Sequence, residues 1–152
     1  PERTPVTIKD TLEVAPVICY ESAYDEVVAG FVRNGANMIF VITNDGWWGN
    51  SPGHRQHLAY ARLRAVECRR SVARSANTGI SGFINQRGDV IQASEYWKQD
   101  ALKGVLQAND QLTLYVKHGD FMGRISVFIS IIVLLVSIVV FIKREKPHEA
   151  NP

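Results

Sequence analysis

Two short, unbroken apolar runs stand in the first third of the chain, at residues 14–18 and 38–43. Continuous apolar runs of this length are typical of strands that are buried on both faces of a sheet. Between them, residues 22–34 carry apolar side chains at the spacing of an amphipathic helix, and Ser22 is placed to cap that helix. The pattern therefore predicts strand, helix and strand, with the two strands parallel and the crossover right-handed.

Weaker patterns predict further strands and a second helix before the last apolar run. Residues 6–12 predict a strand that pairs with the first apolar run, and residues 54–69 predict a helix whose apolar stripe contains Cys68. Three short strands follow, and then two segments that are strands or extended chain: residues 71–76, 82–85 and 90–93, then 103–108 and 112–116. The sequence thus predicts an α/β domain with a parallel pair of strands at its centre.

The longest apolar run, residues 125–142, lies near the C-terminus and carries no charge. Its length just meets the requirement for a helix that crosses the roughly 30 Å hydrocarbon core of a bilayer. We therefore expect a transmembrane helix, and a buried core helix is the alternative. Arg124 precedes the run, whereas the denser basic cluster Lys143-Arg144-Glu145-Lys146 follows it. Because positive charge concentrates on the cytoplasmic side of membrane helices, we expect the tail in the cytoplasm and the domain on the outer side.

This pattern divides the chain into three expected parts. They are a domain over residues 1–120, a transmembrane helix with its flanks over residues 121–146 and a cytoplasmic tail over residues 147–152. The start of the chain has no signal peptide and reads as the middle of a longer protein, so we expect a C-terminal portion.

Composition and charge narrow the class of protein. The 152 residues suit one domain, and the formal net charge of +2 is too small to indicate nucleic-acid binding. His54 and His57 lie three residues apart, but no carboxylate or third histidine is arranged with them in the sequence. We therefore expect solvent or loop hydrogen bonds for both rings and no metal site.

Cys19 is the candidate nucleophile, because it stands where the first apolar run ends. A buried strand fixes the residue that follows it, and a turn into a helix would bring backbone N–H groups close to a thiolate. Thiolates attack acyl carbonyls and form thioesters once a base or a lowered pKa has removed the thiol proton. The alternative is that Cys19, like Cys68, is a small core residue. Glu21 either takes part in proton transfer or stabilises the start of the helix through its dipole.

Trp47 and Trp48 are adjacent in a loop of turn-forming residues, 44–53. Consecutive side chains cannot both point into one core, so we expect at least one to line a pocket or face a membrane. The alternative is that one covers the edge of the core and the other is merely exposed.

Several motifs together resemble the carbon-nitrogen hydrolase, or nitrilase, superfamily, and within it the family of apolipoprotein N-acyltransferases. The motifs are Ile18-Cys19-Tyr20-Glu21, Thr43-Asn44-Asp45-Gly46-Trp47-Trp48-Gly49, Gln56-His57 leading into residues 61–67, residues 74–81 and the terminal apolar run. The resemblance extends from about residue 6 to residue 146.

The resemblance implies an α/β fold, namely part of an α-β-β-α sandwich followed by one C-terminal transmembrane helix. It also implies a Glu-Lys-Cys triad in which Cys19 matches the nucleophile. The glutamate and lysine of the triad belong to the upstream half of the family and have no counterpart here, so we expect this portion alone to be inactive. Glu21 matches a further glutamate of the site, and we expect Tyr20, Trp47 and Trp48 to bind substrate. No cofactor and no metal ion is implied.

The implied reaction is acyl transfer in two steps. A phospholipid donates a fatty acyl chain to Cys19, and the N-terminal amine of a diacylglyceryl-cysteine apolipoprotein then accepts it. The implied location is the inner membrane of a bacterium, with the catalytic domain in the periplasm. Two alternatives remain, a membrane-tethered amide hydrolase of the same superfamily and a membrane-anchored module without catalysis.

Overall fold

A six-stranded mixed sheet forms the centre of the first compact unit, which ends at Gly119. The computed structural model describes residues 3–9 and 11–144. The strands lie side by side in chain order: β1 (Val6–Lys9), β2 (Leu12–Ile18), β3 (Met38–Asn44), β4 (Val72–Asn77), β5 (Gly82–Ile84) and β6 (Val90–Ala93). Strands β2, β3 and β4 are parallel, whereas β1, β5 and β6 each run antiparallel to their neighbours. The predicted parallel pair is therefore confirmed, and a third parallel strand joins it.

Helices cover one face of this sheet. They are α1 (Asp25–Arg33), α2 (Gly53–Cys68) and the short α3 (Leu114–His118). Val17 of β2 and Val41 of β3 point to this face and are fully buried against apolar residues of α1 and α2, among them Val28 and Ala65. Burying such side chains is the dominant favourable contribution to folding, so the helix-covered face is the core of the unit.

The opposite face of the sheet is open at the carboxyl ends of the strands. Ile18 and Ile42 are about half exposed there, and Pro16 and Phe40 are partly exposed. The prediction that β2 and β3 are buried on both faces is therefore wrong for the described residues. Apolar side chains on both faces of a parallel strand are typical of a sheet covered on both sides. In an α-β-β-α sandwich, a second sheet provides the cover that the described residues lack.

Local structure differs from the sequence-based prediction in several places. The helix expected from Ser22 begins at Asp25, because residues Cys19–Ala23 form a tight 3-10 turn first. Residues 103–108 form neither strand nor helix, which agrees with the extended-chain alternative and not with the strand. Residues 112–116 are not a strand, because α3 begins at Leu114 with Thr113 as its cap: the Thr113 hydroxyl accepts a hydrogen bond from the N–H of Val116.

The second unit contains helix α4, Phe121–Arg144, which is 24 residues long. It is the one helix of the described residues that is long and apolar enough to cross a membrane, and none of its side chains is buried. A soluble core helix would be largely buried, so an apolar helix without a buried side chain favours a membrane span. Residues 145–152, with Lys146 and the expected cytoplasmic tail over 147–152, lie outside the described residues.

Candidate active site

Cys19 stands at the carboxyl edge of the parallel strands, directly after the last residue of β2. Its backbone has a φ of +51°, in the left-handed region that residues other than glycine rarely adopt. Such conformations persist only where the surroundings enforce them, and they cluster at functional sites. The side chain is partly exposed, unlike that of Cys68, which lies in the core. The structure therefore separates the two thiols, and only Cys19 is presented to an incoming molecule.

Two side chains of the turn hold this backbone in place. Glu21 Oε2 accepts a hydrogen bond of 2.7 Å from the N–H of Ile18, and Ser22 Oγ donates one of 3.0 Å to the carbonyl oxygen of Cys19. Glu21 thus lies next to the candidate nucleophile with an exposed side chain, and it stabilises the turn instead of the first turn of α1. Ser22 is fully buried and acts on the Cys19 carbonyl, not as the cap of α1 that its position predicted.

A buried polar cluster lies directly behind the turn. Asp45, at the carboxyl end of β3, is fully buried and accepts hydrogen bonds from three side chains. Its Oδ1 is 3.0 Å from Thr43 Oγ1 and 2.9 Å from His57 Nδ1, and its Oδ2 is 2.5 Å from Arg74 Nη2. Arg74, on β4, is also buried and donates from Nε to the carbonyl oxygen of Ile80. We call Thr43, Asp45, His57 and Arg74 the buried polar cluster.

The charge state of this cluster follows from its contacts. Burial pushes the pKa of Asp45 upward, but the hydrogen bond from His57 and the charge of Arg74 outweigh burial, so the pKa lies below its ordinary value. Asp45 is therefore an ionised carboxylate near neutral pH, and an ionised carboxylate only accepts hydrogen bonds. It follows that His57 donates from Nδ1, which leaves Nε2 facing the nucleophile turn.

His57 connects the cluster to Cys19. Its Nε2 lies 3.1 Å from the carbonyl oxygen of Cys19 and 3.0 Å from Ser22 Oγ. The single proton of Ser22 can go to Nε2 of a neutral ring instead of to the Cys19 carbonyl, and a protonated ring donates to that carbonyl itself, so either form of His57 contacts the turn. On the opposite side, Thr43 Oγ1 lies 3.3 Å from Cys19 Sγ. The buried cluster thus contacts both the backbone and the sulfur of the candidate nucleophile.

The prediction that His54 and His57 could be hydrogen-bonded to solvent is wrong. Both rings are buried, and His57 pairs with a carboxylate that lies twelve residues before it in the sequence. Sequence reasoning missed Thr43, Asp45 and Arg74 as parts of the site. The available signals were an arginine in the middle of a predicted strand and an aspartate at the carboxyl end of a parallel strand, where ligand sites are common.

Aromatic side chains form a wall beside Cys19. The ring centroid of Tyr20 lies 5.9 Å from that of His57 and 6.5 Å from that of Trp48, and Trp48 lies 5.1 Å from His57. Tyr24 and Tyr60 meet Tyr20 edge to face, at 6.1 and 6.3 Å. Such pairs are favourable beyond their buried area, so the wall is a pre-formed apolar surface.

The adjacent tryptophans have different surroundings. Trp48 is half-buried in the wall, whereas the side chain of Trp47 is 83% exposed. The loop that carries them is fastened at its far end, because Tyr96 donates a hydrogen bond to the carbonyl oxygen of Gly49 and stacks on His54 at 3.9 Å. Trp47 therefore projects from a loop that a hydrogen bond from Tyr96 holds at Gly49, two residues further along.

The structure brings four of the five predicted site residues to one place, around the Cys19 turn: Cys19, Tyr20, Glu21 and Trp48. Trp47 is next to them in sequence but points into solvent. Within the described residues, no group of three or more histidine, cysteine, aspartate or glutamate side chains is arranged to hold a metal ion. Chemically, a partly exposed thiol on an enforced turn is suited to nucleophilic attack.

Comparison with known proteins adds to this geometry. Residues 2–114 match the family described as carbon-nitrogen hydrolase. Over 128 residues, or 84% of this chain and 24% of that protein, the sequence is 38% identical to an apolipoprotein N-acyltransferase of Chlorobaculum tepidum. Over 122 residues, or 78% of this chain and 22% of that protein, it is 40% identical to an apolipoprotein N-acyltransferase of Agrobacterium fabrum. The chain therefore spans about a quarter of the length of the curated relatives that it matches.

Solved structures agree on the fold. A carbon-nitrogen hydrolase from Helicobacter pylori superposes with a TM-score of 0.57 at 11% sequence identity, covering 64% of this chain and 41% of that one. An amidase from Nesterenkonia superposes with a TM-score of 0.51 at 18% identity, covering 62% of this chain and 38% of that one. Identities this low carry the fold alone, and they confirm the predicted nitrilase-like α/β architecture.

Proposed function

This chain belongs to the carbon-nitrogen hydrolase family, and on that premise we propose that it is the nucleophile-bearing part of an apolipoprotein N-acyltransferase. The reaction moves a fatty acyl chain from a phospholipid to the sulfur of Cys19 and then to the N-terminal amine of a diacylglyceryl-cysteine apolipoprotein. The observation that carries the proposal is the partly exposed Cys19, held at a φ of +51° at the carboxyl edge of β2.

The first half of the reaction forms a thioester. The Cys19 thiolate attacks the ester carbonyl carbon of the phospholipid, a C–S bond forms, and the lysophospholipid leaves with the former ester oxygen. In the second half the amine attacks the thioester, an amide bond forms, and the C–S bond breaks to return the thiolate. A carboxylate base takes the thiol proton and passes it to the lysophospholipid oxygen, and in the second half it takes a proton from the amine and passes it to the returning sulfur. The family resemblance assigns this base to a glutamate with no counterpart in this chain.

We assign roles to the neighbouring residues by their position. Glu21 keeps the turn in its reactive shape through the N–H of Ile18, and its exposed carboxylate is close enough in the chain to orient the acceptor amine. Tyr20 and Trp48 provide an apolar surface beside Cys19 that suits an acyl chain. Trp47 is exposed and large, which suits insertion among lipid chains at the membrane interface.

The proposed location is the inner, or plasma, membrane of a bacterium. Helix α4 is long and apolar enough to span it, and its described basic residues favour a cytoplasmic C-terminus: Lys143 and Arg144 at one end against Arg124 at the other. The catalytic unit then faces the periplasm. This orientation predicts that a cysteine placed after residue 146 is labelled by a membrane-impermeant maleimide only when the inner membrane is opened.

Acyl mass on Cys19 tests the proposal. The intact protein is incubated with phosphatidylethanolamine vesicles and analysed by mass spectrometry of the Cys19 peptide. We expect the peptide to gain one acyl group, to lose it when a synthetic diacylated lipopeptide is added, and to gain nothing in Cys19→Ser. If Cys19 gains no acyl mass in the intact protein, nucleophilic catalysis by Cys19 is wrong.

The amide hydrolase is the rival within the same family, and the product of the second half distinguishes it. The acyltransferase yields a triacylated lipopeptide, whereas a hydrolase yields free fatty acid with the lipopeptide unchanged. Because the base and the lysine of the triad have no counterpart in the 152 residues, we also expect residues 1–152 alone to transfer no acyl chain. Transfer by that portion would contradict the assignment of the triad.

A further inference from the structure

The hydroxyl of Thr43 lies between two acceptors. Thr43 is the penultimate residue of β3 and is buried, and its Oγ1 is 3.3 Å from Cys19 Sγ and 3.0 Å from Asp45 Oδ1. A hydroxyl has a single proton, so it can donate to only one of these two atoms at a time. Which atom receives the proton depends on the charge of the sulfur.

With a neutral thiol, the proton of Thr43 belongs to Asp45. The carboxylate is ionised and buried, so it is the stronger acceptor, and the S–H of Cys19 is then free to donate to Thr43 Oγ1. With a thiolate, the sulfur becomes an anionic acceptor that the same hydroxyl already contacts. Asp45 still accepts hydrogen bonds from His57 Nδ1 at 2.9 Å and from Arg74 Nη2 at 2.5 Å. Losing the third hydrogen bond, from Thr43, therefore costs little free energy.

We propose that Thr43 is a further catalytic residue, whose hydroxyl turns from Asp45 to Cys19 Sγ whenever the sulfur is anionic. The inference rests on the proposed function, because it assigns a role in acyl transfer through Cys19. Thr43 touches the reacting sulfur directly, whereas Asp45 and His57 are positioning residues that hold the hydroxyl and the turn. The hydroxyl stabilises a charge that is absent from the resting thiol and from the thioester, so its effect is confined to the charged states.

The sulfur is anionic at two moments of the reaction. Before the first half, the S–H proton passes to the family's carboxylate base and Thr43 donates to the thiolate that attacks the ester. In the second half, the C–S bond breaks and its electron pair returns to sulfur, and Thr43 donates to the departing thiolate. Between these moments the thioester sulfur is a poor acceptor, and the hydroxyl returns to Asp45. Both half-reactions therefore gain from the same hydrogen bond.

The other charged and titratable groups near Cys19 are accounted for by their contacts. On its own turn, Glu21 is bound to the N–H of Ile18 and Tyr20 packs on the aromatic wall. From β3, α2 and β4 come Asp45, His57 and Arg74, which bind one another. Among the described side chains, the one hydroxyl or nitrogen donor within hydrogen-bond distance of the Cys19 sulfur is Thr43 Oγ1. A change at Thr43 should therefore move the protonation of Cys19 without removing a charge.

Variants of Thr43 in the intact protein test this inference. Thr43→Val keeps the branched shape on the strand but loses the hydroxyl, and Thr43→Ser keeps the hydroxyl. The rate of Cys19 alkylation by iodoacetamide is followed from pH 5 to pH 10, and mass spectrometry reports the Cys19 and Cys68 peptides separately. We expect wild type and Thr43→Ser to share one midpoint, and Thr43→Val to have about tenfold less thiolate at pH 7, because a hydrogen bond to an ionised acceptor is lost. Cys68 serves as the internal control, since burial raises its pKa to about 12.

The alkylation midpoints of the two Thr43 variants decide whether the hydroxyl acts on the sulfur. Equal midpoints for Thr43→Val and wild type would overturn the inference, and so would a Thr43→Ser midpoint that moves as far as that of Thr43→Val. Circular dichroism reports whether Thr43→Val folds, and the pair Thr43→Ala and Thr43→Ser replaces it if it does not. Acyl mass on Cys19 tests the proposed function separately. If a thioester forms but the alkylation midpoint is the same in Thr43→Val and wild type, only the role of Thr43 is refuted. If the midpoint shifts in Thr43→Val but no thioester forms, only the acyl transfer is refuted.

Discussion

Replacing Asp45 by asparagine removes one negative charge from a site that excludes water. Asp45 is fully buried and accepts hydrogen bonds from Thr43, His57 and Arg74. The asparagine side chain has nearly the same shape, but it carries no charge and one of its terminal atoms is a donor. The guanidinium of Arg74 would then be a buried cation without a counter-charge, and its Nη1 already has no hydrogen-bond partner among the described residues.

The expected loss of stability is large. Removing one partner from a buried ion pair costs about 3–5 kcal/mol, because the other charge stays buried and uncompensated. A domain is stable by about 5–15 kcal/mol in total, so this loss is a substantial fraction. At roughly 4 °C per kcal/mol for a unit of this size, we expect Asp45→Asn to lower the melting temperature by about 10–20 °C.

Unfolding of the intact protein in detergent, followed by tryptophan fluorescence, measures this loss. The pKa of Asp45 is lowered in the folded state, so its contribution is present above the ordinary aspartate pKa of about 3.9 and disappears as the pH falls through the lower folded value. The difference between wild type and Asp45→Asn should therefore be constant near neutral pH and shrink below about pH 4. Asp89→Asn is the matched control, because Asp89 is exposed in its 3.3 Å pair with Arg87. We expect the loss of stability in Asp89→Asn to be much smaller than that in Asp45→Asn, because solvent screens the exposed pair.

Two results would refute this reasoning. A loss at Asp45 no larger than the loss at Asp89 would mean that the buried charges are solvated or uncoupled. A difference that persists unchanged at pH 3 would mean that the carboxylate is not the ionised acceptor at the centre of the cluster.

Four further substitutions probe the same region. A Cβ atom on Gly79 would lie 2.3 Å from Asp45 Oδ2 and 2.7 Å from Asp45 Cβ, so Gly79→Ala should destabilise the protein by at least about 2 kcal/mol in the same unfolding assay. His57→Gln removes the ring that contacts the carbonyl of the nucleophile, so we expect thioester formation to slow about tenfold with little change in the KM for phospholipid. Trp47→Ala should leave the melting temperature within about 2 °C and weaken binding to phospholipid vesicles, whereas Trp48→Ala should lower both, because only Trp48 packs on His57.

The pattern of apolar residues predicted the central elements well because those elements are local. The parallel pair β2 and β3, the helix between them and the terminal apolar helix follow from periodicity and length within single segments. The identity of Cys19 as the candidate nucleophile also came from one segment, since it depends only on where the strand ends. Residues 112–116 were misassigned because a capping threonine and tertiary contacts decided in favour of α3.

The buried polar cluster could not be read from the sequence in the same way. Asp45, His57 and Arg74 lie 12 to 29 residues apart and meet because three neighbouring elements end or pass at one edge of the sheet. Histidines with no partner nearby in the sequence were therefore expected to make solvent or loop hydrogen bonds, and one of them, His57, instead belongs to the buried polar cluster. Contacts between polar residues that are distant in the sequence produce no periodic pattern. The remaining signal was Arg74 in the middle of a predicted strand, because a buried arginine is costly unless it is paired.

The position of this cluster explains how a strained backbone is maintained at an open edge. A left-handed cysteine costs about 1–3 kcal/mol, and apolar packing cannot enforce it where the surface must admit a substrate. Directional hydrogen bonds do so instead: the Cys19 carbonyl accepts one from Ser22 or from a protonated His57, and Glu21 accepts one from the N–H of Ile18 just before the turn. Glu21 acts on Cys19 itself by this one route, whereas Asp45 acts on it by two, because it holds both His57 and the Thr43 hydroxyl that contacts the sulfur. A variant at Asp45 that still folds should therefore lose more Cys19 reactivity than Glu21→Gln does, and equal losses would mean that the sulfur and the backbone are not held by one carboxylate.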